Sequence, residues 1–67
     1  MYQFKQEKLE EVINNNKLID IAGKVGISRV YLSYVLHNKY NCRKSIAYCI
    51  TKAIDENKEI DYFFCKK

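Results

Sequence analysis

Apolar residues recur with a helical period in four stretches of this chain, separated by short polar breaks. In the first, from about Lys5 to Asn14, Leu9, Val12 and Ile13 share one side of a helical wheel with Tyr2 close by. Glu7, Glu10 and Glu11 take the other side. Phe4 falls off this stripe, so either the helix begins after it or Phe4 packs from an irregular N-terminus. Three asparagines at 14–16 break the pattern. Asn16 is placed to N-cap a second helix from Lys17 to about Lys24, because its side-chain oxygen suits a free backbone N–H of the first turn. That helix sets Leu18, Ile21, Ala22 and Val25 at i, i+3, i+4 and i+7, a core-facing stripe.

Both glycines of the chain, Gly23 and Gly26, fall at this point. Gly26 lies just past the stripe, where a left-handed backbone ends a helix and glycine reaches it without steric cost. Ser28 then has the chemistry to N-cap a third helix over 28–37. In it Leu32, Val35 and Leu36 cluster on one side, Arg29, Val30, Ser33, Tyr34 and His37 on another, with Tyr31 near the boundary. Gly23 lies off the core stripe. It is read as a tolerated surface glycine, the alternative being close approach of a neighbouring backbone.

Residues 37–41, HNKYN, read as a loop. Asn41 is placed to cap a fourth helix from about Cys42 to Asp55, with Ile46, Ala47, Ile50, Ala53 and Ile54 as its stripe. In such a helix Cys42 and Cys49 would share one side at a separation of roughly 10 Å, beyond disulfide reach. The tail carries Ile60, Tyr62, Phe63 and Phe64, too short a cluster to stand alone, so it must fold back onto the core or meet another chain. No strand alternation is evident. The expected fold is all-α, a compact bundle of four to five short helices in a single domain spanning 1–67, with a core over 5–55 and a tail at 56–67 for packing or dimerisation.

Composition narrows this picture. Hydrophobic residues at 48% beside 30% charged residues belong to a folded chain. At 67 residues a single core is near the lower limit of independent stability, so a single domain without a separate catalytic or ligand-binding domain is expected. The N-terminal stretch is too charged for a signal-peptide core and no apolar run is long enough to span a membrane, so a cytoplasmic protein without membrane association is expected. Cys42, Cys49 and Cys65 form an odd set with no C-x-x-C pair. Reduced, partly buried thiols are expected rather than a disulfide framework or zinc site.

Charge changes the picture more than composition does. The net charge is +4, and residues 21–54 hold Lys24, Arg29, Lys39, Arg43, Lys44 and Lys52 with no Asp or Glu. A block this long without an acid points to a polyanionic partner.

Two short helices joined by a tight glycine turn form a helix-turn-helix, whose second helix lies in the DNA major groove. Residues 18–37 resemble the helix-turn-helix of lambda-repressor-like, or Cro/XRE-type, DNA-binding domains. The likeness lies in Ala22 where the helices touch, Gly26 in the turn, Ile27 just after it, and Leu32 and Val35 facing inward. The stretches YLSYVLHNK and AYCITKAI also look like this family's recognition helix, following loop and next helix, so the likeness covers residues 5–55. The resemblance implies that Arg29, Val30, Ser33 and Tyr34 contact base edges. Arg29 suits guanine O6 and N7 in bidentate fashion, Val30 suits a thymine methyl, and Tyr34 suits either a base or a phosphate. None of these positions carries Gln or Asn, so no particular operator sequence is implied. Phosphate contacts are expected from Lys17, Lys24, Ser28, Asn38, Lys39, Tyr40, Arg43 and Lys44, with His37 making a phosphate contact or a helix-end interaction.

The resulting expectation is a sequence-specific binder of double-stranded DNA, a small Cro-like repressor acting as a homodimer on a two-fold operator. Two other readings remain: an architectural or recombination accessory DNA-binding protein, and a protein-binding antagonist module using the aromatic tail. No nucleophile, base and acid can be assembled into a catalytic set, so no enzyme is expected, nor any cofactor, metal or small-molecule ligand.

Overall fold

A computed structural model describes residues 1–67. The chain runs through strand β1 (Tyr2–Phe4), a short 3-10 turn (Gln6–Lys8), helices α1 (Leu9–Asn15), α2 (Leu18–Val25), α3 (Arg29–Leu36), α4 (Lys44–Ile54) and α5 (Ile60–Phe63), and strand β2 (Phe64–Lys66). The molecule is mostly helical, but the all-α expectation is corrected by a two-stranded antiparallel sheet that ties the two ends together. Tyr2 pairs with Lys66, Gln3 with Cys65 and Phe4 with Phe64. Three-residue strands are too short for alternation to register in the sequence, and their pairing spans nearly the whole chain.

The sheet exists because the termini carry the largest core side chains. Phe4, Phe63 and Phe64 are all buried, with the Phe4 ring stacked 6.2 Å from Phe63 and edge-on at 5.3 Å to Phe64. Such offset and T-shaped arrangements are the favourable geometries for aromatic pairs. The apolar core therefore extends past 5–55 at both ends. The tail folds back, with Ile60 and Tyr62 packed against the same core. From the helices it receives Val12, Ile21, Ala22, Leu32, Val35, Leu36, Ala47 and Ile50. Ile13, placed on the stripe of the first helix, is instead exposed.

Two caps differ from their sequence assignment. Asn16 does not cap α2: its Nδ2 donates to the Val12 carbonyl at 3.1 Å, as Asn15 Nδ2 does to Glu11 at 2.9 Å. Both amides thus turn back onto carbonyls of α1, that of Asn16 onto one of the four at its C-terminal end, and the extended residue before α2 is Lys17. Helix α4 begins at Lys44 with Arg43 as its N-cap, not at Cys42 behind Asn41. Cys42 is committed elsewhere, exchanging backbone hydrogen bonds of 2.9 and 2.7 Å with Tyr2 on the outer edge of β1. It shares no helix with Cys49, and burial pushes its thiol pKa up, so it stays protonated and unreactive. Cys49 and Cys65 are exposed free thiols.

The turn between α2 and α3 forms as the sequence predicts. Gly26 has φ +87°, and the N–H groups of Gly26 and Ile27 both donate to the Ala22 carbonyl, at 2.8 and 3.1 Å. Gly23 has no such backbone, and a Cβ placed there meets nothing within 4 Å, which fits a surface glycine and not a close backbone approach. The two glycines are therefore expected to respond with opposite signs. Gly26→Val should destabilise by more than about 1 kcal/mol through forced positive φ. Gly23→Ala should stabilise by up to about 1 kcal/mol through helix propensity. Thermal melts of both variants check this, and an unchanged Tm for Gly26→Val would contradict the turn.

Candidate nucleic-acid interface

Helix α3 is set by its N-cap. Ser28 is extended, and its Oγ accepts from the Tyr31 N–H at 3.0 Å. Its hydroxyl proton remains free to donate to another acceptor. With that start, Leu32, Val35 and Leu36 turn into the core and are buried. The opposite side presents Arg29 and His37 to solvent, Val30 at 55% exposure and Tyr34 at 42%, with Ser33 half-buried beside them. The four base-reading candidates therefore lie together on one accessible side of a helix whose other side is fixed.

The cations proposed for phosphate or base contact make no salt bridge. The one salt bridge in the molecule is Lys52 Nζ to Glu59 at 3.7 Å, which leaves Lys17, Lys24, Arg29, Lys39, Arg43 and Lys44 unpaired and exposed. Two of them oppose the local helix field. Arg29 opens α3 and Lys44 opens α4 behind Arg43, and neither first turn contains an acid. A cation at a helix N-terminus is unfavourable against the positive end of the dipole, and an incoming anion relieves it.

The phosphate candidates do not form one cluster. Lys17 and Lys24 line an open cleft of about 460 Å³ with Asp20 and Asn14–Asn16. Lys44 borders a separate groove with Tyr2, Tyr48, Glu59 and Asp61, whose carboxylates disfavour a phosphate there. His37 makes a helix-end interaction: its Nδ1–H donates to the Ser33 carbonyl at 2.8 Å, and the residue is exposed. Asn38 is left-handed at φ +61° and Lys39 is exposed beside it. Comparison of the chain with protein-family models, curated proteins and solved structures returns no match. The functional reading rests on this chain's own residues.

Sequence reasoning assigned Tyr40 to phosphate contact and missed its packing. The Tyr40 ring lies edge-on to Tyr34 at 5.3 Å and stacked on Tyr31 at 6.1 Å. A signal was present in Asn38, a residue type that enters the left-handed region just past a helix and reverses the chain. No cluster of His, Cys, Asp and Glu side chains has metal-binding geometry, and no helix is long and apolar enough to cross a membrane.

Proposed function

We propose that this protein is a sequence-specific double-stranded DNA-binding regulator whose α2, Gly26 turn and α3 act as a helix-turn-helix of the lambda-repressor-like, Cro/XRE type. Helix α3 enters the major groove, with Arg29, Val30, Ser33 and Tyr34 toward the bases. Ser28, Lys24, Lys39 and Arg43 approach the flanking phosphates. The simplest mode of action is a repressor that binds as a homodimer on a two-fold operator in the cytoplasm.

One observation carries this reading: α3 is fixed on the core by Leu32, Val35 and Leu36 and leaves Arg29, Val30 and Tyr34 exposed on its other side, with Arg29 at a helix N-terminus that contains no acid and Lys39 exposed in the loop that follows. An exposed helix face that carries a cation and no acid suits a polyanion, and a phosphate backbone is such a partner. The reading as a protein-binding module is weakened by the tail, since Phe63 and Phe64 are buried and offer no aromatic surface to a partner. An architectural or recombination accessory role would use the same surface without base preference.

Fluorescence anisotropy with a random duplex across salt concentrations tests the proposal. Affinity should fall on a log–log plot with a slope of roughly −0.9 for each phosphate neutralised. No binding at low salt, or a response flat in salt, would sink the reading. Selection from random duplexes then separates a regulator, which yields a consensus, from an architectural protein, which does not.

A further inference from the structure

Tyr40 lies four residues beyond α3, yet its ring returns to the helix. The reversal is built into the backbone. Asn38 in the left-handed region donates its N–H to Val35 at 3.1 Å, and Lys39 donates to Tyr34 at 2.8 Å. This is the paired closure of a Schellman cap, which satisfies two carbonyls of the last turn and fixes the direction of the departing chain. It brings the Tyr40 ring onto Tyr31 and Tyr34, residues three apart and hence neighbours on the surface of α3.

Tyr34 would otherwise be a solvent-facing aromatic free to exchange rotamers, and fixing it on binding would cost conformational entropy. The Tyr40 ring lies in the space that other rotamers of Tyr34 would sweep on that side. We propose that Tyr40 is a positioning residue for sequence recognition, whose ring holds Tyr34 in one orientation so that Tyr34 presents a fixed apolar face to a base edge, best matched by a thymine methyl. This rests on the DNA-binding reading above and deepens it. Tyr40 is half exposed, at 51%, but its ring is spent on two tyrosines, and the loop 37–41 becomes part of the reading surface through Tyr34. The apolar chemistry of the pair matches the methyl group, which distinguishes thymine from the other bases in the major groove.

The test is selection from random duplexes with the full chain as wild type, Tyr34→Ala, Tyr40→Ala, Tyr40→Phe and the double alanine variant. Tyr40→Ala is expected to lose preference at the same base pair as Tyr34→Ala, by about fivefold or more, with random-duplex affinity held within about twofold. Tyr40→Phe keeps the ring and should retain the wild-type preference. The double variant should be no worse than Tyr34→Ala, because the two residues act as one unit. In NMR spectra without DNA, the Tyr34 ring protons should move toward free-tyrosine positions in Tyr40→Ala. Equal losses on specific and random duplex in both Tyr40→Ala and Tyr40→Phe would make Tyr40 a phosphate contact through its hydroxyl and overturn the proposal. Unchanged preference in Tyr40→Ala from a selective wild type overturns the positioning role alone, while a wild type that selects no sequence overturns the regulator reading beneath it.

Discussion

Phe64→Ala is expected to lower stability by about 3–5 kcal/mol, a large fraction of the stability available to a protein of this size. A chain of this length is stable by roughly 3–10 kcal/mol, so the variant should melt far below the wild type, and at the lower end of that range it would be unfolded. The size of the effect follows from position. Phe64 is fully buried and is the first residue of β2, where it meets Phe4 edge-on. Its loss opens a cavity and removes an aromatic contact at the seam that joins the two ends of the chain. Ile19→Ala provides the contrast, because Ile19 is 64% exposed, and its change should stay within about 0.5 kcal/mol. Chemical denaturation of both variants measures the difference. A cost below about 1 kcal/mol for Phe64→Ala would mean that the tail is not part of the core.

That experiment bears on the part of the fold least visible in the sequence. Local periodicity was enough to locate α2, α3 and most of α4, because each carries a stripe of three or more apolar residues whose burial is decided within the helix itself. The Gly26 turn and the Ser28 cap were legible for a related reason: each solves a backbone problem with one residue type suited to it. The sheet was not legible, since a three-residue strand has no period to detect and its partner lies at the opposite end of the chain. Cys42 illustrates the same limit. Its place in the sequence suits the first turn of a helix, but pairing with Tyr2 satisfies its backbone and delays α4 by two residues. Asn16 was misassigned because asparagine has both donor and acceptor atoms, and the amide went to the preceding helix instead of the following one.

The candidate site follows a similar division. The exposure of Arg29, Val30 and Tyr34 follows from the inward stripe of Leu32, Val35 and Leu36, so the helical wheel alone was sufficient. Lys44 beside Glu59 and Asp61, and Tyr40 on Tyr34, both depend on chain reversals whose geometry the wheel does not contain. Charge in sequence is a one-dimensional quantity. The acid-free block of residues 21–54 is real, but folding brings acids from outside it to the groove that Lys44 borders.

On the DNA-binding function proposed above, the second large effect is the division of recognition between bases and phosphates. Arg29→Ala is expected to cost about 1–3 kcal/mol at the preferred site and to relax preference at one base pair, since a bidentate guanine contact carries sequence information. Arg29 is suited to this because it is exposed at the first residue of α3, on the side away from the core, with no carboxylate competing for its guanidinium. Lys39→Ala should behave differently. Lys39 is exposed in the loop after α3, and its loss should weaken binding to specific and random duplexes alike. It should also flatten the salt dependence by roughly one unit per phosphate contact removed, because fewer condensed counterions are released. In a homodimer each substitution occurs twice, so both effects approach double, and the half-sites should lie about 10 base pairs apart or at a multiple of that spacing. Anisotropy titrations on the selected and random duplexes, with footprinting, measure all of these quantities. If Arg29→Ala left the consensus unchanged while substitution of Ser33 or Tyr34 altered it, α3 would stand as the reading helix and Arg29 would lose its role. If none of the three altered sequence preference, α3 would not be the element that reads the major groove.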